Sequence, residues 1–157
     1  MAKIMAQLSS VLGHMILVLA ALSYVGELIQ KPFEQVATIG LGAFAMIGAL
    51  SGLCFAMAPI LTTKKSKDLV LYSGEKFFHS TILILQSVAL KWASEAALSK
   101  PYMRSYPVAE LTLTFGSHIL VSSVSIIGTY FLLYGFETVN DLLWERFLSR
   151  RKGGEAE

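Results

Sequence analysis

Three long stretches without a charged residue constrain this chain more than any other feature of its sequence. Residues 4–26, 35–63 and 111–136 contain no Asp, Glu, Lys or Arg. Each stretch provides the ~20 apolar residues that a helix needs to cross the hydrocarbon core of a bilayer. Charged residues make up only 15% of the chain, whereas soluble domains carry about 25%. The sequence therefore predicts an all-α integral membrane protein.

A further crossing is predicted between the second and third of these stretches, although it is less apolar. Residues 77–90 are free of charge, and extending the helix to residue 98 includes Lys91 and Glu95. A lysine near a helix end can extend its side chain to the membrane interface, and Trp92 suits the interfacial aromatic belt. We therefore expect a four-helix bundle, a single transmembrane domain over residues 1–157, with spans at about 4–29, 35–61, 70–98 and 107–135.

The basic residues indicate how such a bundle is oriented. With four crossings, the N-terminus, the loop after the second span and the C-terminus share one side of the membrane. Nine of the thirteen basic residues lie on that side, and four lie on the other. Cytoplasmic loops carry the excess of Lys and Arg. The sequence therefore predicts a multi-pass protein of the cell membrane with both termini in the cytoplasm.

Beyond the fourth span, residues 137–150 show a different pattern. Val139, Leu142, Leu143 and Phe147 recur at helical spacing, and charged and amide side chains occupy the opposite face. This arrangement is typical of an amphipathic helix. It predicts a cytoplasmic segment that is either a short helix along the membrane surface or an extension of the fourth helix packed on a partner.

Polar side chains recur along one face of the predicted fourth helix. They are three or four residues apart and extend over roughly 28 Å at 1.5 Å of rise per residue; the set is Glu110, Thr114, His118, Ser122, Ser125 and Thr129. Since lipid would leave these polar atoms without partners, the stripe should face protein or a wet path. A thinner polar row on the third helix comprises Ser80, Ser87, Lys91 and Ser94.

Small residues mark the second helix as a packing element. They form two adjacent rows at spacings of three and four residues, which together contain Gly42, Ala45, Gly48, Ala49 and Gly52. Small side chains allow the backbones of membrane helices to approach closely. The pattern predicts helix packing either within the chain or between protomers.

Two main functions stay open. In the first, several copies form a pore for ions or small solutes, which the polar stripe of the fourth helix lines. Glu110 would then form a carboxylate ring at the outer mouth, and His118 would gate by protonation. In the second, the chain is a non-catalytic accessory or anchor subunit whose stripe docks a partner membrane subunit. In both cases the partners are the lipid bilayer and another membrane chain, either a second copy or a different subunit.

A third, minor hypothesis is redox chemistry. His14 and His118 both fall near the middle of their spans, so they would be able to ligate one haem iron from opposite sides. Apart from that hypothesis we expect no cofactor and no metal, because the single cysteine, Cys54, excludes Cys-based zinc sites. The chain has no recognised catalytic motif, so no enzymatic activity is predicted. The net charge of +2 is too small to indicate nucleic-acid binding.

Overall fold

Four long helices make up the fold. The computed structural model describes residues 2–101 and 105–153. The helices are α1 (Ala2–Gln30), α2 (Phe33–Met57), α3 (Lys64–Leu98) and α4 (Pro107–Gly153), and a 3₁₀ turn at Ala58–Ile60 follows α2. All regular elements in these ranges are helical, which confirms the all-α prediction.

Three of the helices are long and apolar enough to cross a membrane. The candidate spans are Val11–Gln30, Phe33–Ile60 and Pro107–Trp144. Helix α3 is not among them, because Lys76 and Lys91 confine its uncharged part to residues 77–90, which is fewer than the ~20 apolar residues that a span needs. The crossing expected at residues 70–98 therefore stays a prediction.

The ends of α2 and α3 differ from the expected boundaries for local reasons. Helix α2 ends at Met57 rather than at residue 61, since Pro59 has no N–H to continue the helical hydrogen bonds. Helix α3 begins at Lys64, six residues earlier than predicted. Thr63 caps this helix, and its hydroxyl oxygen accepts a hydrogen bond of 3.3 Å from the backbone N–H of Ser66. Residues 62–67, which the sequence predicts as a polar turn, thus lie mostly in the first turn of a helix.

The amphipathic C-terminal segment is a continuation of α4. No break separates it from the span, and α4 runs for 47 residues, about 70 Å at 1.5 Å per residue. Leu142 is buried in the main hydrophobic core, and Val139 packs against the same cluster. That cluster includes Val70, near the start of α3, so the segment packs on the chain's own helix. Phe147 lies outside the side chains that the structure describes.

Helix α3 occupies the centre of the bundle, between α2 and α4. It runs antiparallel to α2, because Ser51 is bonded to Gly74 while Phe33, earlier in α2, is bonded to Glu95, later in α3. Helix α4 is antiparallel to α3, because Gly128 lies against Leu83 while Gly135, later in α4, lies against Phe77, earlier in α3. Helix α1 packs mainly on α4. The core cluster contains Ile47, Cys54, Ala58, Val70, Phe77, Ile84 and Leu142.

The outside of the described structure is more apolar, and its inside more polar, than in a soluble helical protein. Large apolar residues cover the outside, and six of them on α1 are 58–63% exposed: Val11, Leu12, Met15, Ile16, Leu19 and Leu22. Hydroxyl side chains lie inside instead, among them Ser51, Ser73, Ser80, Thr81, Ser87 and Ser125. The polar groups that could carry a function in the spans are therefore concentrated where helices meet.

Candidate functional site

The polar stripe of α4 does not share a single environment. Glu110 is exposed, while Thr114, His118, Ser122 and Thr129 are half-buried. Ser125 is 1% exposed and therefore lies inside the protomer. The stripe thus starts on the surface and turns into the bundle along its length.

Two of the stripe's hydroxyls are satisfied within α4 itself. Thr114 donates to the carbonyl of Glu110 at 2.8 Å, and Thr129 donates to the carbonyl of Ser125 at 2.9 Å. Such bonds to the preceding turn are common for Ser and Thr in membrane helices. The hydroxyls of these two residues need neither a partner helix nor a wet path. The role of the stripe in lining a path stays a prediction.

A second polar row, on α3, is buried more completely than the stripe. Ser73, Ser80 and Ser87 are spaced by seven residues, and each is 0% exposed. Lys91 continues this row and is 7% exposed. The sequence pattern identified Ser80, Ser87 and Lys91 but missed Ser73. Ser73 lies seven residues before Ser80, and this spacing keeps side chains on one helical face. The spacing would therefore have revealed it.

Four buried hydroxyls in the bundle have no hydrogen-bond partner among the described residues. They belong to three helices, and we call them the polar seam: Tyr24, Ser73, Ser80 and Ser125. Leaving a buried hydroxyl unbonded costs about 1–3 kcal/mol. Ser87, by contrast, donates to the carbonyl of Ile84 at 2.7 Å. The seam supplies hydroxyls that can donate and accept hydrogen bonds, but it contains no ionised group.

An ion pair on α3 contacts both helix ends at the turn between α1 and α2. Lys91 Nζ lies 3.0 Å from a carboxylate oxygen of Glu95 and donates to the carbonyl of Ile29 at 3.4 Å. The Glu95 carboxylate accepts from the backbone N–H of Phe33 at 3.0 and 3.1 Å. The cation thus lies at the C-terminal end of α1 and the anion at the N-terminus of α2, where each complements the helix dipole. We call this arrangement the Lys91–Glu95 clamp.

The small residues of α2 face in two directions. A Cβ atom built on Gly48 would lie 3.6 Å from Thr81 Cγ2 of α3, so Gly48 packs within the chain. Gly42, Ala45, Ala49 and Gly52 are exposed, and a Cβ on Gly42 or Gly52 would meet nothing within 4 Å. We call these four residues the small-residue face; no other described helix of the chain covers it.

The closest approaches between helices occur at glycines that the sequence pattern did not identify. A Cβ on Gly40 would lie 2.5 Å from Val88, and one on Gly135 would lie 2.6 Å from the ring of Phe77. Single glycines in apolar helices carry no signal that separates a close contact from an open surface. Their role became visible only once the helices were assembled.

The histidines and the cysteine form no metal centre in the described part of the chain. His14 and His118 are half-buried on α1 and α4, and the haem hypothesis for them stays a prediction. Cys54 is a free, buried thiol. No group of three or more His, Cys, Asp or Glu side chains in the described ranges is arranged to hold a metal ion.

A cleft of about 760 Å³ opens between the last turns of α3 and the first turns of α4. Its walls are mainly apolar and include several small residues, among them Ala93, Ala97, Ala109 and Gly116.

Comparison of the chain with protein-family models, curated proteins and solved structures gave no match. Its function is therefore inferred from its own residues and geometry.

Proposed function

We propose that this protein is a non-catalytic integral membrane subunit that assembles with a second copy of itself through the small-residue face of α2. In this proposal it is a four-span protein of the cell membrane with both termini in the cytoplasm. Its role is that of an assembly or anchor subunit. The observation that carries the proposal is the exposed row of Gly42, Ala45, Ala49 and Gly52 on an otherwise apolar helix.

The surface of the bundle supports a location in the membrane. In water, the exposed apolar side chains of α1 would favour aggregation, whereas acyl chains solvate them without cost. In the same surroundings, the hydrogen bond from the buried Ser51 hydroxyl to the carbonyl of Gly74 would help to hold α2 and α3 together. Helix α3 also crosses the membrane, because α2 and α4 flank it and shield its polar row from lipid. The excess of basic residues on the side of the α2–α3 turn supports the cytoplasmic orientation.

The small-residue face favours a second copy of the chain as its occupant. Its members are separated by three, four and three residues, which places them on one side of α2. Two such faces are complementary to each other, because both lack side chains that would keep the backbones apart. A symmetric dimer uses one patch of the surface on both subunits, and an isolated row of this kind meets that requirement.

Ala49→Leu tests the dimer. The added side chain would separate the two backbones, and overpacking of this kind costs about 1–3 kcal/mol, so the dimer should dissociate at least about five-fold more readily. Association would be measured by energy transfer between labelled copies as they are diluted in lipid. Ala89→Leu makes the same change at an exposed position of α3 and should leave association unchanged. A wild-type chain that stays monomeric, or equal behaviour of the two variants, would contradict the proposal.

A pore remains the second candidate, and one observation favours it. His118 and Ser122 are half-buried rather than buried, so their polar atoms would be available to a path between copies. In such an oligomer Glu110, which is exposed, would lie at the outer mouth and attract cations. Helix α4 of each copy would then line the path.

Ser122→Leu tests the pore. A leucine at this position would replace a hydroxyl by a larger apolar group and should reduce ion flux into liposomes at least ten-fold by dewetting the path. The neighbouring Ser123 is exposed on the other face, and its hydroxyl is bonded to the carbonyl of Ile119 at 2.7 Å, so Ser123→Leu is the matched control. Equal flux through both variants, or no flux above that of empty liposomes, would rule out this function.

A further inference from the structure

A basic pocket lies at the start of α3, at the end of the bundle that carries the turn from α2. It is a shallow, open depression of about 610 Å³ on the surface of α3, lined by Lys64, Lys65, Asp68, Leu69 and Tyr72, of which all but Leu69 are exposed. The two lysines bring ammonium groups, the aspartate a carboxylate, and the other two residues an apolar floor. This combination suits a ligand that has an anionic group, hydrogen-bond donors and an apolar part.

Aromatic rings adjoin the pocket on the side of the apolar span. The ring of Tyr72 lines the pocket and also carries Lys76 Nζ 4.4 Å from its centroid. Tyr134 of α4 packs edge-on against Tyr72 at 6.1 Å, and Phe131 lies 5.4 Å from Lys76 Nζ. Tyr72 and Tyr134 are 39% and 40% exposed. The two helices thus present a half-exposed aromatic surface between the lysines and the apolar part of the bundle.

The order of these groups along α3 matches the layers of a membrane leaflet. Lys64 and Lys65 come first, Tyr72 and Lys76 follow, and the uncharged residues 77–90 come last. From Lys65 to Phe77 the helix rises about 18 Å. Headgroups, an interfacial belt of aromatic rings and hydrocarbon follow one another in the same order across a leaflet. A soluble anion would make use of the lysines but not of the aromatic and apolar groups beyond them.

We propose that this pocket binds the headgroup of an anionic phospholipid with hydroxyl groups, of the phosphatidylglycerol type. Lys64 and Lys65 contact the phosphate, and the Asp68 carboxylate accepts hydrogen bonds from the headgroup hydroxyls. Tyr72 and Lys76 contact the ester region, below which the acyl chains run along the apolar surface. The inference rests on the proposed location of the bundle in a membrane.

The test is retention of lipid by the full chain, purified from membranes that contain equal amounts of phosphatidylglycerol and phosphatidylcholine. Native mass spectrometry counts the molecules of each that stay bound. We expect phosphatidylglycerol to be retained preferentially, and the Lys64→Gln, Lys65→Gln double variant to bind it about 25-fold more weakly, since each lysine near a membrane surface contributes about five-fold. Lys31→Gln with Lys100→Gln removes the same charge at the opposite end and should leave retention unchanged.

The outcomes separate this inference from the proposed function. If alkaline extraction strips the chain from membranes, the membrane location itself is wrong. If the chain stays in the membrane but retains both lipids equally, or if the two double variants behave alike, only the lipid site is wrong. Bound phosphatidylglycerol that is displaced by millimolar inorganic phosphate would show that the pocket recognises the anion alone, and this too would overturn the inference.

Discussion

Replacing Glu95 with alanine is expected to destabilise the protein by about 2–4 kcal/mol, while the same change at Glu27 should cost less than about 1 kcal/mol. Both glutamates form ion pairs with a lysine four residues away. The Nζ–O distances are 3.0 Å for Lys91–Glu95 and 2.9 Å for Lys31–Glu27. The two pairs differ in their surroundings, and this difference is the basis of the prediction.

Burial of the lysine makes the Lys91–Glu95 clamp the costlier pair to break. The side chain of Lys91 is 9% exposed, whereas that of Lys31 is 46% exposed. Without Glu95, the ammonium group of Lys91 would keep, among the residues that the structure describes, only the carbonyl of Ile29, at 3.4 Å. A buried charge that loses its counter-ion is strongly destabilising. The backbone N–H of Phe33 would also lose its carboxylate acceptor at the start of α2. After Glu27→Ala, by contrast, water would hydrate the exposed ammonium group of Lys31.

Unfolding of the purified protein by denaturant in mixed micelles would measure both changes. Lys91→Met should partly rescue Glu95→Ala, because it removes the unpaired charge and keeps a long apolar side chain. A double-mutant cycle over these two positions should therefore give a coupling of 1 kcal/mol or more. Equal costs at Glu95 and Glu27, or additive effects of the two substitutions in the clamp, would show that the clamp does not stabilise the fold.

The all-helical class and the helices α1, α2 and α4 were predictable from the sequence, while the faces that the helices bury were not. Long uncharged stretches identify helices because a span needs ~20 apolar residues. In a soluble helix the apolar side also shows which face is buried, but a helix that is apolar all round gives no such contrast. The sequence therefore identified the small residues of α2 without showing that only Gly48 of this set packs on α3.

The same limit explains the mixed result for the polar stripe. The spacing predicts that six polar residues share one side of α4, but it did not show that Thr114 and Thr129 satisfy their hydroxyls within the helix. Nor did it show that Ser73 joins the buried row of α3. A residue's side of the helix follows from spacing, whereas its neighbour depends on how the helices cross.

Gly135→Ala is expected to destabilise the protein by about 1–2 kcal/mol, although alanine is the better helix former. In an open helical position this change should stabilise by about 1 kcal/mol. At Gly135, however, the new methyl group would lie 2.6 and 2.8 Å from two ring carbons of Phe77. Phe77 is 2% exposed and packs edge-on against Phe136 at 5.1 Å, so its ring has little room to move. Overpacking of this kind costs about 1–3 kcal/mol, and the confined ring places Gly135 in the upper part of this range, above the gain in helix propensity.

Two controls make the effect of Gly135→Ala specific to the contact between α3 and α4. Gly116 lies on the same helix, is exposed, and has nothing within 4 Å of its Cβ position, so Gly116→Ala should be neutral or stabilising. In a Phe77→Leu background the obstructing ring is gone, and Gly135→Ala should then change from destabilising to neutral or stabilising. The measurement is again the free energy of unfolding in micelles. If alanine is tolerated equally at Gly135 and Gly116, the two helices do not approach each other at Gly135 as closely as the structure requires.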